Sequence, residues 1–152
     1  MADTARRAPI MIEIAPGELL DKISILEIKL QRMTDPAKLA NVRTELALLE
    51  QARDRNLPSS PRLASLAQRL REVNETLWDV EDGLRDEERH ERFGTRFIEL
   101  ARAVYWNNDE RAGLKREINV LLGSSIVEEK SYSDYGRSDD QRHRPDPVLG
   151  SS

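Results

Sequence analysis

The chain contains no cysteine, which removes disulfides, thiolate chemistry and sulfur-ligated metal sites together. Its two histidines, His90 in a charged stretch and His143 near the C-terminus, offer neither a metal cluster nor a catalytic triad. Glycine is sparse, and no glycine-rich phosphate loop occurs. No apolar run approaches the roughly 20 residues needed to cross a bilayer, and the first residues lack the apolar segment of a signal peptide. The expectation is a soluble cytoplasmic protein. An excess of positive charge is also missing: the net charge is -4, with acids and bases interspersed. The basic stripe that neutralises a phosphate backbone is therefore absent, and nucleic acid is not an expected partner.

What remains is a chain of 152 residues, 34% charged and 38% hydrophobic. That length suits one domain, and that balance suits long, solvent-washed helices. The fold class is all-α. Residues 1–9 read as a flexible arm. Ile10 to Ile14 then alternates like a short strand. A helix opens at Pro16, a favoured first helical residue, with Glu18 near the positive end of its dipole. Its apolar seam runs Leu19, Ile23, Leu26, Leu30, Met33. Asp35 before Pro36 and Ser60 before Pro61 are two further cap-and-start signals. They predict a second helix with Leu39, Val42, Leu46 and Leu49 inward, and a third with Leu63, Leu66, Leu70, Val73, Leu77, Val80 and Leu84. Gly83 and the charged run 85–92 are expected to end the third helix. A fourth, over 93–122, carries Phe93, Phe97, Leu100, Val104, Leu114, Ile118 and Leu121, with Gly123 as a left-handed cap. Ile126 and Val127 read as a second short strand, and residues 131–152 as a disordered tail.

Short connections predict an antiparallel four-helix bundle, comprising residues 10–130. The two strand-like segments then fall at one end and are expected to pair as a minor two-stranded sheet. The third and fourth helices form a long hairpin whose tip projects beyond the others. Leu84, Phe93 and Phe97 there need cover, and a two-fold homodimer is the simplest source of it.

The seam of the fourth helix breaks at Asn107 and Arg111. Counting about 1.5 Å per residue places both beside Asn74 and near Glu27. This predicts a polar layer of Glu27, Asn74, Trp78, Asn107 and Arg111, with Tyr105, Trp106 and Asn108 on adjacent turns, and an ion pair between Glu27 and Arg111. Polar seam residues commonly fix helix register without binding anything. Aromatic walls with convergent donors also suit a sugar or another small polar ligand. The acid pairs Glu18/Asp21 and Asp79/Asp82 share helix faces, but they lie about 20 Å or more apart along the bundle. That spacing argues against a shared metal, so the first pair reads as a dipole interaction and the second as a solvated face. No catalytic residue, metal or cofactor is assigned.

Several stretches together resemble a bacterial family of small helical proteins of unknown function. They are residues 16–29 (PGELLDKISILEIK), 35–42 (DPAKLANV), 74–82 (NETLWDVED), 105–111 (YWNNDER) and 126–132 (IVEEKSY). The resemblance covers residues 10 to 132. Members of that family are often associated with glycosyltransferase and surface-polysaccharide genes. What the resemblance implies is a setting in glycan or cell-envelope assembly, with a glycosyltransferase as partner. The leading expectation is a non-catalytic, self-associating accessory or scaffold protein. The alternative is a small enzyme or binding module that uses the polar layer on a sugar-phosphate or sugar-nucleotide.

Overall fold

The structure, a computed structural model, describes residues 5–134. Four helices account for nearly all of its regular structure: α1 (Pro16–Arg32), α2 (Pro36–Asn56), α3 (Pro61–Arg89) and α4 (Thr95–Leu121). The expected starts at Pro16, Pro36 and Pro61 are the observed ones. Asp35 accepts from the Ala37 and Lys38 amides, and Ser60 accepts from the Leu63 amide at 3.1 Å. Each cap thereby satisfies first-turn donors that have no partner within the helix.

α1 is the hub, because its backbone closely approaches all three other helices, and α3 also packs along α4. α2 makes no such approach to α3 or α4. For this reason α1 is buried on most of its circumference, through Leu19, Leu20, Ile23, Leu26 and Ile28. α2 buries only Val42 and Leu46. All of these but Ile28 join Leu63, Leu66, Leu70, Val73, Leu114 and Ile118 in a single core. Cross-helix contacts give the directions. Gly17 meets Asn119 and Asp21 meets Arg111, so α1 and α4 are antiparallel. Gly83 packs on Leu100, and Arg69 lies 3.9 Å from Glu117, so α3 and α4 are antiparallel too.

Three sequence expectations need correction. The two-stranded sheet is absent: no strand occurs among the described residues. The chain before Ala15 is neither helix nor strand and leaves Ile10 89%, Met11 88% and Ile12 74% exposed, while the segment after Gly123 lies back along α4. α3 does not stop at Leu84. It runs to Arg89, because the charged run is helical and held by pairs such as Arg89–Asp86 at 2.6 Å. Gly83 is thus a close-packing position within the helix, with no room to spare beside Leu100. Finally, α4 begins at Thr95, after Phe93. The expected arm and tail extend over residues 1–4 and 135–152, which lie outside the described residues.

The α3–α4 hairpin extends beyond α1. Arg32, the last residue of α1, pairs with Asp79 at 2.7 Å, leaving residues 80–89 of α3 to continue for about 15 Å. At its tip, Glu87 is buried against Arg92 (2.9 Å) and Arg96 (3.3 Å). The Arg92 hydrogen bond holds the Glu87 carboxyl below its ordinary range, against the opposing effect of burial. Phe93 and Phe97 meet edge to face, 5.3 Å between ring centres.

Candidate functional site

α1 lacks a side-chain cap of its own, since Ala15 occupies that place. The missing acceptor comes from α4: Gly17 N–H donates to Asn119 Oδ1 at 2.8 Å. This contact demands glycine, because a β-carbon at residue 17 would sit 2.5 Å from the Lys115 carbonyl oxygen. Asn119 is in turn fixed at the end of α4 by a terminal turn. There Gly123 takes φ +64°, and the Ser124 amide donates back to the Asn119 carbonyl at 2.9 Å. The left-handed residue and the long back-reaching hydrogen bond are the usual way to close a helix end.

Asn119 is one of four polar residues, with Asn107, Arg111 and Lys115, that recur every fourth position along α4. Spacing of four keeps them on one face. Lys115, whose side chain is mostly buried, contacts Glu18 at 2.6 Å and Glu128 at 2.9 Å. Burial pushes its pKa down, but hydrogen bonds to both carboxylates more than reverse this and leave it raised. One turn further back, Arg111 meets Asp21, which is 0% exposed. Arg111 Nε donates to Asp21 Oδ1 at 2.8 Å, and its Nη2 donates to Oδ2. From α3, Asn74 Nδ2 donates to Asp21 Oδ1 at 2.9 Å and to Ser24 Oγ at 2.7 Å. Ser24 completes the group by donating to the Asp21 carbonyl at 2.8 Å. The hydrogen bond to Asp21 raises the Arg111 pKa despite desolvation, so the guanidinium stays charged. A buried carboxylate paired on both oxygens by a forked donor is among the stronger polar contacts a protein makes.

The residues expected from sequence are distributed unequally around this group. Asn74 and Arg111 converge, but on Asp21. Glu27, the expected partner of Arg111, instead accepts from Arg71 at 2.8 Å, so the Glu27–Arg111 pair is corrected. Asn107 is buried and donates to the Ala103 carbonyl at 2.8 Å. Trp78 is half-buried on α3. Tyr105 is exposed and meets Trp106 edge to face, while Arg102 lies 4.6 Å over the Trp106 ring. These aromatics belong to an outer part of α4 from Asn107, because consecutive helical residues point about 100° apart. Asn108 offers its backbone carbonyl to Lys130 at 3.4 Å. Ser24, Lys115 and Asn119 were not anticipated, and Asp21, read from the sequence with Glu18 as a dipole interaction, is instead buried as the partner of Arg111. The signal for the α4 pair was the four-residue recurrence of polar residues through 107, 111, 115 and 119. For Asp21 it was an acid on a helix with apolar residues nearly all round.

Chemically, the arrangement is a closed network: among the described residues, no buried side-chain nitrogen or oxygen lacks a partner. No group of three or more acidic or histidine side chains that could hold a metal occurs among them, and no helix is long and apolar enough to cross a membrane. A separate groove of about 360 Å³ opens between α1, the end of α2 and the start of α3, with Leu20, Ile23, Leu63 and Ala67 among its lining.

No curated protein and no solved structure matches the chain. A family model does match, over residues 10–139 and hence over every helix and the whole Asp21 network, and the chain belongs to the family it describes, the family of unknown function DUF6165.

Proposed function

We propose that this protein is a non-catalytic helical scaffold that self-associates through the tip of its α3–α4 hairpin. The observation that carries the reading is the composition of that tip. Beyond the end of α1, Phe93 and Ile98 are more than half exposed, beside half-buried Leu84 and Phe97. Fully burying one such side chain stabilises by about 1.5 to 3 kcal/mol relative to exposure. A second copy related by a two-fold axis covers them with the same surface. The tip also carries charges of both signs, Arg85, Arg89 and Arg92 with Asp86, Glu88 and Glu91, of which Asp86 already pairs with Arg89 and Arg92 in its own chain. The mid-bundle network supports the structural side of the reading. A rival sugar-nucleotide site needs Asn74 and Arg111 to offer donors outward, whereas both direct theirs at Asp21.

The setting we propose is cytoplasmic, in glycan or cell-envelope assembly with a glycosyltransferase as partner. Its support is the resemblance of the sequence stretches named above. The self-association is tested by light scattering at tens of micromolar. The wild-type mass should exceed one copy, and Leu84→Glu with Phe93→Glu should halve it while helix content stays constant. An unchanged mass would remove the tip from the interface.

A further inference from the structure

The C-terminal half of α4 carries a cover that is held on by charge. After Gly123, residues 124–130 run back along the helix in the opposite direction. The Ser124 amide reaches the Asn119 carbonyl, Glu128 meets Lys115 at 2.9 Å, Glu129 meets Arg116 at 3.2 Å, and Lys130 donates to the Asn108 carbonyl at 3.4 Å. Past Ser124, no backbone-to-backbone hydrogen bond ties this strap to the helices among the described residues. Apolar burial contributes little, since Ile126 and Val127 stay exposed and Leu122 is the last residue packed against the core. The strap can therefore leave without opening the bundle. Nor does it fit closely: a cavity of about 110 Å³ remains between strap and helix, with Ala112, Lys115, Asn119, Val120 and Val127 among its lining. What the strap covers is cationic. With the strap away, the mostly buried Lys115 keeps Glu18 as its acid, and Arg116 has no other ion pair among the described residues. Two bases then face one acid, in a chain whose net charge is -4.

We propose that this strip of α4 is a docking site for an acidic segment of another protein, and that residues 124–130 are an internal cover which such a segment displaces. The strap itself shows the chemistry of the occupant. Its adjacent Glu128 and Glu129 divide between the adjacent Lys115 and Arg116, so a segment with two consecutive acids reproduces both ion pairs. An apolar residue before those acids, larger than Val127, enters the space that the strap leaves unfilled against Ala112 and Val120. The added contacts are favourable, because the walls of a void lack partner atoms on one side. The strap has one advantage of its own: attachment to the same chain raises its effective concentration at the site to the millimolar range. An external segment displaces it by fitting better as well as by carrying charge.

The absence of native cysteine permits a single-site reporter. The full chain carries Ser131→Cys, an exposed position just beyond the strap, labelled with a fluorophore whose anisotropy reports the freedom of the segment. Glu128→Gln with Glu129→Gln should lower the anisotropy at unchanged helix content. The probe is a synthetic peptide of residues 124–130 carrying Val127→Leu. Added at millimolar concentration to the labelled chain that keeps its glutamates, it should lower the anisotropy saturably. The same peptide with both glutamates changed to glutamine should act at least about tenfold more weakly, and Arg116→Gln in the protein should weaken the acidic peptide about two- to fivefold, what one exposed ion pair contributes. The site lies at the other end of α4 from the hairpin tip, so Leu84→Glu with Phe93→Glu should leave all of these readings unchanged. The proposal is overturned if the strap glutamines leave the anisotropy as it was, if the acidic peptide does not lower it, or if the glutamine peptide or inorganic phosphate at equal concentration acts as well. It is also overturned if light scattering shows that the strap glutamines change the number of copies, since the strap would then be exchanged between copies.

Discussion

Replacing Arg111 with methionine should be one of the most costly single changes on α4. The substitution keeps the aliphatic stem and removes the guanidinium, leaving the Asp21 carboxylate 0% exposed with one remaining side-chain donor, Asn74 Nδ2. Breaking a buried pair by removing one partner typically costs about 3 to 5 kcal/mol. For a chain of this size that corresponds to a fall in melting temperature of roughly 6 to 20 °C. The reverse truncation, Asp21→Leu, should cost less. The Arg111 side chain is 30% exposed and can turn its charge to water, whereas Asp21 has no such path. Combining the two changes removes both charges and leaves Asn74 short of one acceptor, worth about 1 to 3 kcal/mol. The double variant should therefore be more stable than Arg111→Met alone. Urea unfolding of the four proteins closes the cycle, with midpoints compared at a common slope. A cost below about 1 kcal/mol for Arg111→Met, or a double variant as unstable as the summed singles, would refute the account of the network.

Three further outcomes follow from the same geometry. Gly17→Ala should destabilise by about 1 to 3 kcal/mol, because its β-carbon meets backbone at 2.5 Å; an unchanged urea midpoint would mean that α1 and α4 can separate freely there. Glu91→Gly should stabilise by about 0.5 to 1 kcal/mol, since Glu91 takes φ +52° at the end of α3, a conformation costly for any residue with a β-carbon; a lower midpoint would contradict this. Glu128 and Glu87 are both held below their usual 4.5, by hydrogen bonds from Lys115 and Arg92. Their contribution is complete above about pH 4.5 and is lost as pH falls through the lowered folded values. Melting temperature should fall between pH 5 and pH 3, and Lys115→Met should make that fall smaller; an identical fall would dissociate Glu128 from it.

The starts of α2 and α3 were legible because each rests on local chemistry, a capping side chain followed by proline, that needs no knowledge of the rest of the fold; α1 offered the proline alone, and α4 offered neither. Antiparallel order and the shared level of Asn74 and Arg111 were also accessible, from loop lengths and the rise per residue. The identity of the acid between them was not. Counting residues along straight helices favoured Glu27, yet the observed partner lies six positions earlier. The end of α3 was misplaced for a different reason: a run of charges looks like a turn until its three- and four-residue pairings are counted. The alternation of Ile10 to Ile14 suggested a strand that the segment does not form, because alternation alone does not supply a partner.

Asp21 and Arg111 are 90 residues apart in the chain, and that separation has a consequence during synthesis. At about 5 to 20 residues per second on the ribosome, roughly 5 to 18 s pass between the appearance of the acid and that of the base that neutralises it. Throughout that interval α1 has α2, and later α3, available for its apolar side, but no cation for Asp21, whose charge stays uncompensated even after Asn74 on α3 can donate to it. The nascent chain therefore cannot close its centre early. An unpaired carboxylate keeps the α1 surface wet until the second half of α4 has emerged, which delays premature collapse of the hub helix onto the wrong neighbour.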